Sequence, residues 1–200
     1  MSRGRRGQRL KAQRLLYFVT GNRHKFKEVN ELAKGWGLEL KRLTPPYPEI
    51  QAESLEEVAK HGALQACSTL AKPCFVEDAG LFVRALGGFP GPYSAYVFKT
   101  LGNGGMLKLM LGVEDRRAEF RSAVAYCEPG FKPKVFKGVV KGKLSLRPRG
   151  SRGFGFDPIF IPEEGDGRTF AEMGLHEKNE LSHRARAVKR FFKWYLGSRP

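Results

Sequence analysis

The chain opens its folded pattern with an apolar run, LLYFVT at residues 15–20, that breaks at Thr20-Gly21-Asn22. A short continuous apolar run reads as a buried strand. From Arg23 the period changes. Phe26, Val29, Leu32, Ala33 and Trp36 fall on one face of a helix that Gly35 and Gly37 close. Residues 38–43 alternate and predict a second strand, and residues 44–48 form a proline-rich turn. Ser54-Leu-Glu-Glu is a capping box. It opens a helix with Leu55, Val58, Ala59, Gly62, Ala63 and Ala66 on its apolar face. Residues 74–77 predict a short buried strand ending at Ala79-Gly80. Two glycine and proline clusters follow, at 87–92 and 102–105, with short helices predicted at 94–100 and 106–111. Residues 117–126 and 135–146 alternate as long antiparallel strands, and 147–153 is a basic loop. Ser182 caps a last helix reaching residue 196, with Ala185, Val188, Phe191, Phe192 and Tyr195 as its buried stripe. Parallel-type α/β order at both ends, with antiparallel strands between, predicts one mixed α/β domain over residues 15–200.

Composition narrows the function classes. Two hundred residues suit one domain with a real core. No apolar run approaches the roughly 20 residues of a membrane span, and the basic N-terminus leads into too short an apolar run for a signal peptide. A cytoplasmic protein is the expectation. Cys67, Cys74 and Cys127 are scattered, form no CxxC pair and read as reduced, partly buried thiols. The net charge of +16 makes polyanions plausible partners. Much of it is local, because residues 1–14 carry Arg3, Arg5, Arg6, Arg9, Lys11 and Arg14 with no acid, as a solvated tail does. A basic nucleic-acid-binding protein is the competing class, but the aromatic residues sit at core spacing rather than on one basic face.

Four groups of residues carry candidate chemistry. The strand–turn–helix at Thr20–Lys25 is an anion site in outline. A helix N-terminus offers free N–H groups, Gly21 lets a phosphate approach, Asn22 can donate, and Lys25 adds charge. A plain structural turn fits the same residues. Acids gather at Glu49, Glu53, Glu77 and Asp78, where oxygen ligands would suit Mg²⁺. Neighbours in a strand point to opposite faces, so Glu77 and Asp78 share one ion only if the strand ends between them. In SRGFGFDPIFI, residues 151–161, Phe154 or Phe156 could stack on a base and Asp157 could accept from a base edge, or the loop could simply plug the core. EKNELSHR, residues 177–184, sets Lys178, His183 and Arg184 around a helix start. The helix dipole disfavours cations there, which calls for an acid or an acceptor-bearing ligand nearby. His24, His61 and His176 read as ordinary surface residues.

Taken in order, TGNRHK at 20–25, PEIQ at 48–51, EDAGL at 77–81, ALGGFPGPYSA at 85–95, GFGFDPIF at 153–160, FAEM at 170–173 and EKNELSHR at 177–184 resemble one family. It is that of the inosine triphosphate pyrophosphatases, or XTP/dITP diphosphatases. The resemblance runs from residue 15 to about residue 196. It implies hydrolysis of ITP, dITP and XTP to a monophosphate and pyrophosphate with Mg²⁺. It also implies an elongated, two-lobed α/β fold with a mixed parallel and antiparallel sheet and a central cleft, working as a homodimer. By the same resemblance Thr20, Gly21, Asn22 and Lys25 hold the triphosphate. Glu49 and Asp78 serve the metal with Glu77 as auxiliary, and Asp78 takes a proton from the attacking water. Ala79 contacts substrate, and Phe154, Gly155, Phe156, Asp157, Lys178, His183 and Arg184 hold the purine. Ala79 departs from the serine of many bacterial relatives, and residues 1–14 lie outside the match. A pyrophosphatase for modified pyrimidine nucleotides, dTTP or UTP is the nearest alternative. Base choice has a physical footing. Inosine and xanthosine present an acceptor at O6, adenine presents a donor, and each buried donor left unpaired costs roughly 1–3 kcal/mol. Guanine also carries O6, so its rejection must come from elsewhere.

Overall fold

The structure, a computed structural model, describes residues 14–44 and 50–198. The expected basic tail up to Lys11, most of the proline-rich turn and Glu49 therefore lie outside the described residues. Six strands form one mixed sheet in the order β2-β1-β3-β4-β5-β6. They are β1 (Arg14–Val19), β2 (Leu38–Leu43), β3 (Cys74–Val83), β4 (Arg117–Cys127), β5 (Lys134–Leu144) and β6 (Phe160–Pro162). The helices are α1 (Arg23–Gly35), α2 (Leu55–Leu70), α3 (Ser94–Thr100), α4 (Gly102–Leu109), α5 (Leu175–Leu181) and α6 (His183–Gly197). β1 runs parallel to β2 and β3, and β3 through β6 pair antiparallel. Among the described residues no helix is long and apolar enough to cross a membrane.

Strand alternation builds two covered faces. Phe75, Val124 and Tyr126 point to a core shared with Val188, Phe191 and Phe192 of α6 and Val29 of α1. Their neighbours Cys74, Val76, Ala123 and Ala125 point the other way, onto Ala59, Ala63 and Ala66 of α2. Small residues on that helix let it lie close to the sheet. A third core, around Leu81, Met106, Phe120, Phe156, Phe160 and Phe170, fills the far end. Cys67, Cys74 and Cys127 are free and buried, as expected, and burial pushes the Cys74 and Cys127 thiols up to about 12.

The crevice follows from one short pairing. β1 pairs with β3 only at Tyr17–Cys74 and Phe18–Phe75. β1 then ends at Val19, while β3 runs on to Val83. The two parallel strands part at their carboxyl ends, and the chain leaves β1 toward β2 on one side and returns to β3 on the other. That is the switch point at which open α/β sheets bind ligands.

Two expectations need correction. β3 does not end at Glu77 but continues six residues further to Val83. Gly80 marks a close approach rather than a turn. The Gly91 carbonyl oxygen lies 2.2 Å from where a Cβ on Gly80 would sit. The Leu81 N–H donates to the Ser94 hydroxyl at 2.8 Å, which itself donates to the Gly91 carbonyl at 2.7 Å. The glycines at 102–105 likewise open α4 instead of preceding it. Gly80→Ala must push this clamp off β3, a clash of the kind that costs roughly 1–3 kcal/mol. Thermal unfolding of the variant should show a clearly lowered Tm, and an unchanged Tm would contradict the close-approach account.

Candidate active site

The crevice between the β1–α1 turn, β3 and α2 is a cleft of about 670 Å³. Thr20, Gly21, Asn22, Lys25, Glu77, Asp78, Ala79, Phe154, Gly155, Phe156, Asp157, His183 and Arg184 line it. Lys178 does not line it.

At the β1–α1 end, the Asn22 side chain caps its own helix. Its Oδ1 accepts from the N–H groups of His24 at 2.9 Å and Lys25 at 3.2 Å. The Asn22 N–H donates to the Thr20 hydroxyl at 3.1 Å. Two of the N–H groups that the sequence offered to an anion are thus satisfied internally. Gly21 leaves open space, with nothing within 4 Å of a Cβ built there. Lys25 reaches across the gap where β1 has stopped. Its ammonium donates to the Glu77 carbonyl at 2.9 Å and lies 3.1 Å from Glu77 Oε2 and 3.8 Å from Asp78 Oδ1.

Because β3 continues as a strand, Glu77 and Asp78 face opposite sides of it. Glu77 shares the face of Phe75 and meets α6, with its side chain fully buried. The Ser122 hydroxyl donates to its Oε1 at 2.6 Å, and Arg184 Nε lies 3.1 Å from its Oε2. Burial alone would raise this carboxyl, but Arg184, Lys25 and Ser122 outweigh it and hold it at about 2. One oxygen is thereby held by the Ser122 hydroxyl and the other faces Lys25 and Arg184. Asp78 lies on the other face, with its side chain 28% exposed to the cleft. A hard carboxylate oxygen of this kind suits a divalent cation. Among the described residues no group of three or more His, Cys, Asp or Glu side chains is arranged to hold a metal.

The other end of the cleft rests on a buried acid that the sequence reading missed. Glu28, on α1, pairs through one oxygen with Lys178 at 2.7 Å and through the other with Arg184. Lys178 also pairs with Asp157 at 2.5 Å. Glu28 is the acid that cations at the start of α6 demanded, and it comes from 156 residues away. The available signal was a charge beside Val29, on the flank of the apolar stripe of α1. Burial works against charge at Glu28, yet Arg184 and Lys178 keep it ionised below its ordinary range. At Asp157 burial wins over Lys178 and raises the carboxyl. His183 is pressed well below its ordinary value, first by burial and then by the Arg184 charge. It is a neutral imidazole at neutral pH, stacked on Phe120 at 4.6 Å.

The turn at 153–157 carries the aromatic wall. Gly153 and Gly155 adopt φ of +71° and +61°, and a Cβ on Gly153 would fall 2.1 Å from Asp157 Oδ2. Asp157 accepts the Phe154 N–H at 2.8 Å, so it fastens the turn from within rather than standing free for a base edge. Asn103, also missed from sequence, donates to the Gly155 carbonyl at 3.2 Å. Phe156 enters the core and meets Phe98 edge-on at 5.4 Å. Phe154 stays half-buried on the cleft wall. The Lys178 ammonium lies 5.0 Å from its ring centre and the Arg184 guanidinium 5.3 Å. Lys178 therefore stands against the wall, with its ammonium paired to Glu28 and Asp157. His24 and His61, expected to be ordinary surface residues, both line the cleft. His24 stacks on Phe154, and His61 buries an unpartnered Nδ1.

Comparison with known proteins agrees with this geometry. The dITP/XTP pyrophosphatase of Methanopyrus kandleri is 53% identical over 178 residues, covering 89% of this chain and 94% of the relative. That of Methanothermobacter marburgensis is 55% identical over the same shares. The solved structure of the Staphylococcus aureus Ham1 protein aligns with a TM-score of 0.79 at 27% identity, over 93% of this chain and 100% of that one. A sequence profile described as the Ham1 family matches residues 16–194, from β1 into α6. Every described segment that lines the cleft falls inside that match, and the chain belongs to the Ham1 family.

Proposed function

We propose that this chain hydrolyses inosine- and xanthosine-type nucleoside triphosphates, ITP, dITP and XTP, to the monophosphate and pyrophosphate, cleansing the nucleotide pool. The observation that carries this reading is a single cleft joining two chemistries. A lysine and an aspartate stand at one end, and a phenylalanine backed by buried cations stands at the other. Relatives at 53% and 55% identity, named dITP/XTP pyrophosphatases, support the same reading.

In this reading Gly21 and Lys25 receive the triphosphate in the open space beside the β1–α1 turn. Asp78, with Glu49, holds a divalent cation, taken to be Mg²⁺. When bound, such an ion supplies charge to offset the phosphate oxygens. Asp78 accepts the proton of the attacking water. The backbone at Ala79 contacts substrate where a serine side chain is lacking. Phe154 stacks on the purine. His183, neutral, presents a ring N–H to O6, and Arg184 adds a charged donor behind it. The homodimer and the cytoplasmic setting of a pool-cleansing enzyme belong to the same proposal.

Asp78→Asn keeps the size of the side chain and loses its charge. It should fold with a Tm close to wild type and lose on the order of 10²–10⁴ in kcat, the range of a general base. A variant with near wild-type kcat would remove Asp78 from the chemistry.

The two ends should separate in kinetics over a panel of ITP, XTP, dITP, ATP, dTTP and UTP. Lys25→Ala should depress all substrates alike, since all carry one triphosphate. His183→Ala should lower kcat/KM for ITP about tenfold while sparing ATP, the effect of one lost hydrogen bond. A larger ITP-to-ATP change in Lys25→Ala than in His183→Ala would reverse the assignment. Preference of the wild type for dTTP or UTP would favour the pyrimidine alternative.

Arg184 is a poor probe of base choice, because it is the shared counter-ion of Glu28 and Glu77. Arg184→Ala should cost about 3–5 kcal/mol of stability, as broken buried pairs do. A denaturation curve showing a loss under about 1 kcal/mol would contradict that role.

A further inference from the structure

We propose that His24 is a gate on the base site, covering the outer face of Phe154 until a purine displaces it. The proposal rests on the functional reading above, in which Phe154 receives the base.

Phe154 is the ring of its turn left available to a ligand, since Phe156 is buried in the core. One side of the Phe154 ring is backed by Lys178 and Arg184, which are 3% and 2% exposed. Those cations cannot leave, because Glu28, Glu77 and Asp157 hold them. A base must therefore arrive from the exposed side. The exposed His24 imidazole lies nearly parallel to the phenyl ring at 20°, with centroids 5.2 Å apart. An aromatic ring inserted between the two would need contact on both its faces. Two contacts of about 3.5–4.0 Å set the outer rings at least roughly 7 Å apart. The observed spacing has no room for a purine, so His24 and the base compete for one face.

The gate can open without moving the backbone. The His24 N–H is fixed by the Asn22 cap at 2.9 Å. Its side chain is exposed and needs only a rotation about its own bonds, a motion of exposed side chains that takes picoseconds to nanoseconds. Competition of this kind lowers apparent affinity by the fraction of time the gate is shut. It acts on the base alone and leaves the triphosphate untouched. His24 is thus a positioning residue, acting through Phe154.

The test compares wild type, His24→Ala and His24→Phe. In His24→Ala the KM for ITP should fall about two- to tenfold with kcat nearly unchanged, as expected for one lost aromatic stack. Calorimetric binding of inosine monophosphate should tighten by a similar factor. Competitive inhibition by inorganic tripolyphosphate, which has no base, should not move. His24→Phe should restore the wild-type KM or raise it, since a phenyl ring keeps the stack. A KM that rises in His24→Ala would make His24 a ligand of the nucleotide and overturn the gate. An unchanged KM, or an equal shift for tripolyphosphate, would overturn it too. Normal ITP turnover with no effect at His24 sinks the gate alone. Absence of ITP turnover and of inosine monophosphate binding in both proteins sinks the functional reading, and the gate with it.

Discussion

The cleft depends on one buried ionic network. Glu28, Glu77 and Asp157 meet Lys25, Lys178 and Arg184 in a chain of pairs that runs from α1 to β3, α5 and α6. Three carboxylates balance three cations. Lys25, at one end, is the group nearest the gap left by β1. Lys178 and Arg184, at the other, back the ring of Phe154. One network thus fixes both ends of the site. Removing charges from water is costly, and such a set is tolerated only when each member is paired. Loss of a single member exposes the rest to that cost, so the network acts as a unit that ties the site to the fold.

A second constraint is the two-residue period of a strand. It sends Glu77 toward α6 and Asp78 toward the opposite side, so two adjacent carboxylates take different tasks. Glu77 is held at about 2 by its cations and remains an anion within the frame. Asp78 keeps access to the cleft. The division needs β3 to continue beyond the pair, and the clamp of Gly91 and Ser94 on Gly80 and Leu81 holds that extension in place. A motif that reads as a loop signature in sequence is here a brace for the strand that carries Glu77 and Asp78.

Much of the fold was legible. α1 begins and ends at the residues that its periodicity marked, and Ser54 and Ser182 cap α2 and α6 as their spacing suggested. These are local signals, carried by helix period and cap chemistry. What was not legible depends on distant partners. Gly80 looked like a turn because its reason for being glycine is a carbonyl from residue 91. Glu28 went unmarked because its partners stand about 150 residues on. The pairing of Lys178 with Glu28 and Asp157 was hidden because those carboxylates stand in other segments. His24 gave no sign at all, since its significance is a stack on a ring in another segment.

In the proposed reaction this cleft splits a purine nucleoside triphosphate between its α- and β-phosphates with a divalent cation. Anion-exchange analysis of the products from ITP, run with Mg²⁺ and again with a chelator, tests it most directly. Inosine monophosphate and pyrophosphate should appear in equal amounts, in the Mg²⁺ reaction alone. Inosine diphosphate and orthophosphate as first products, or the same rate in the presence of chelator, would contradict it.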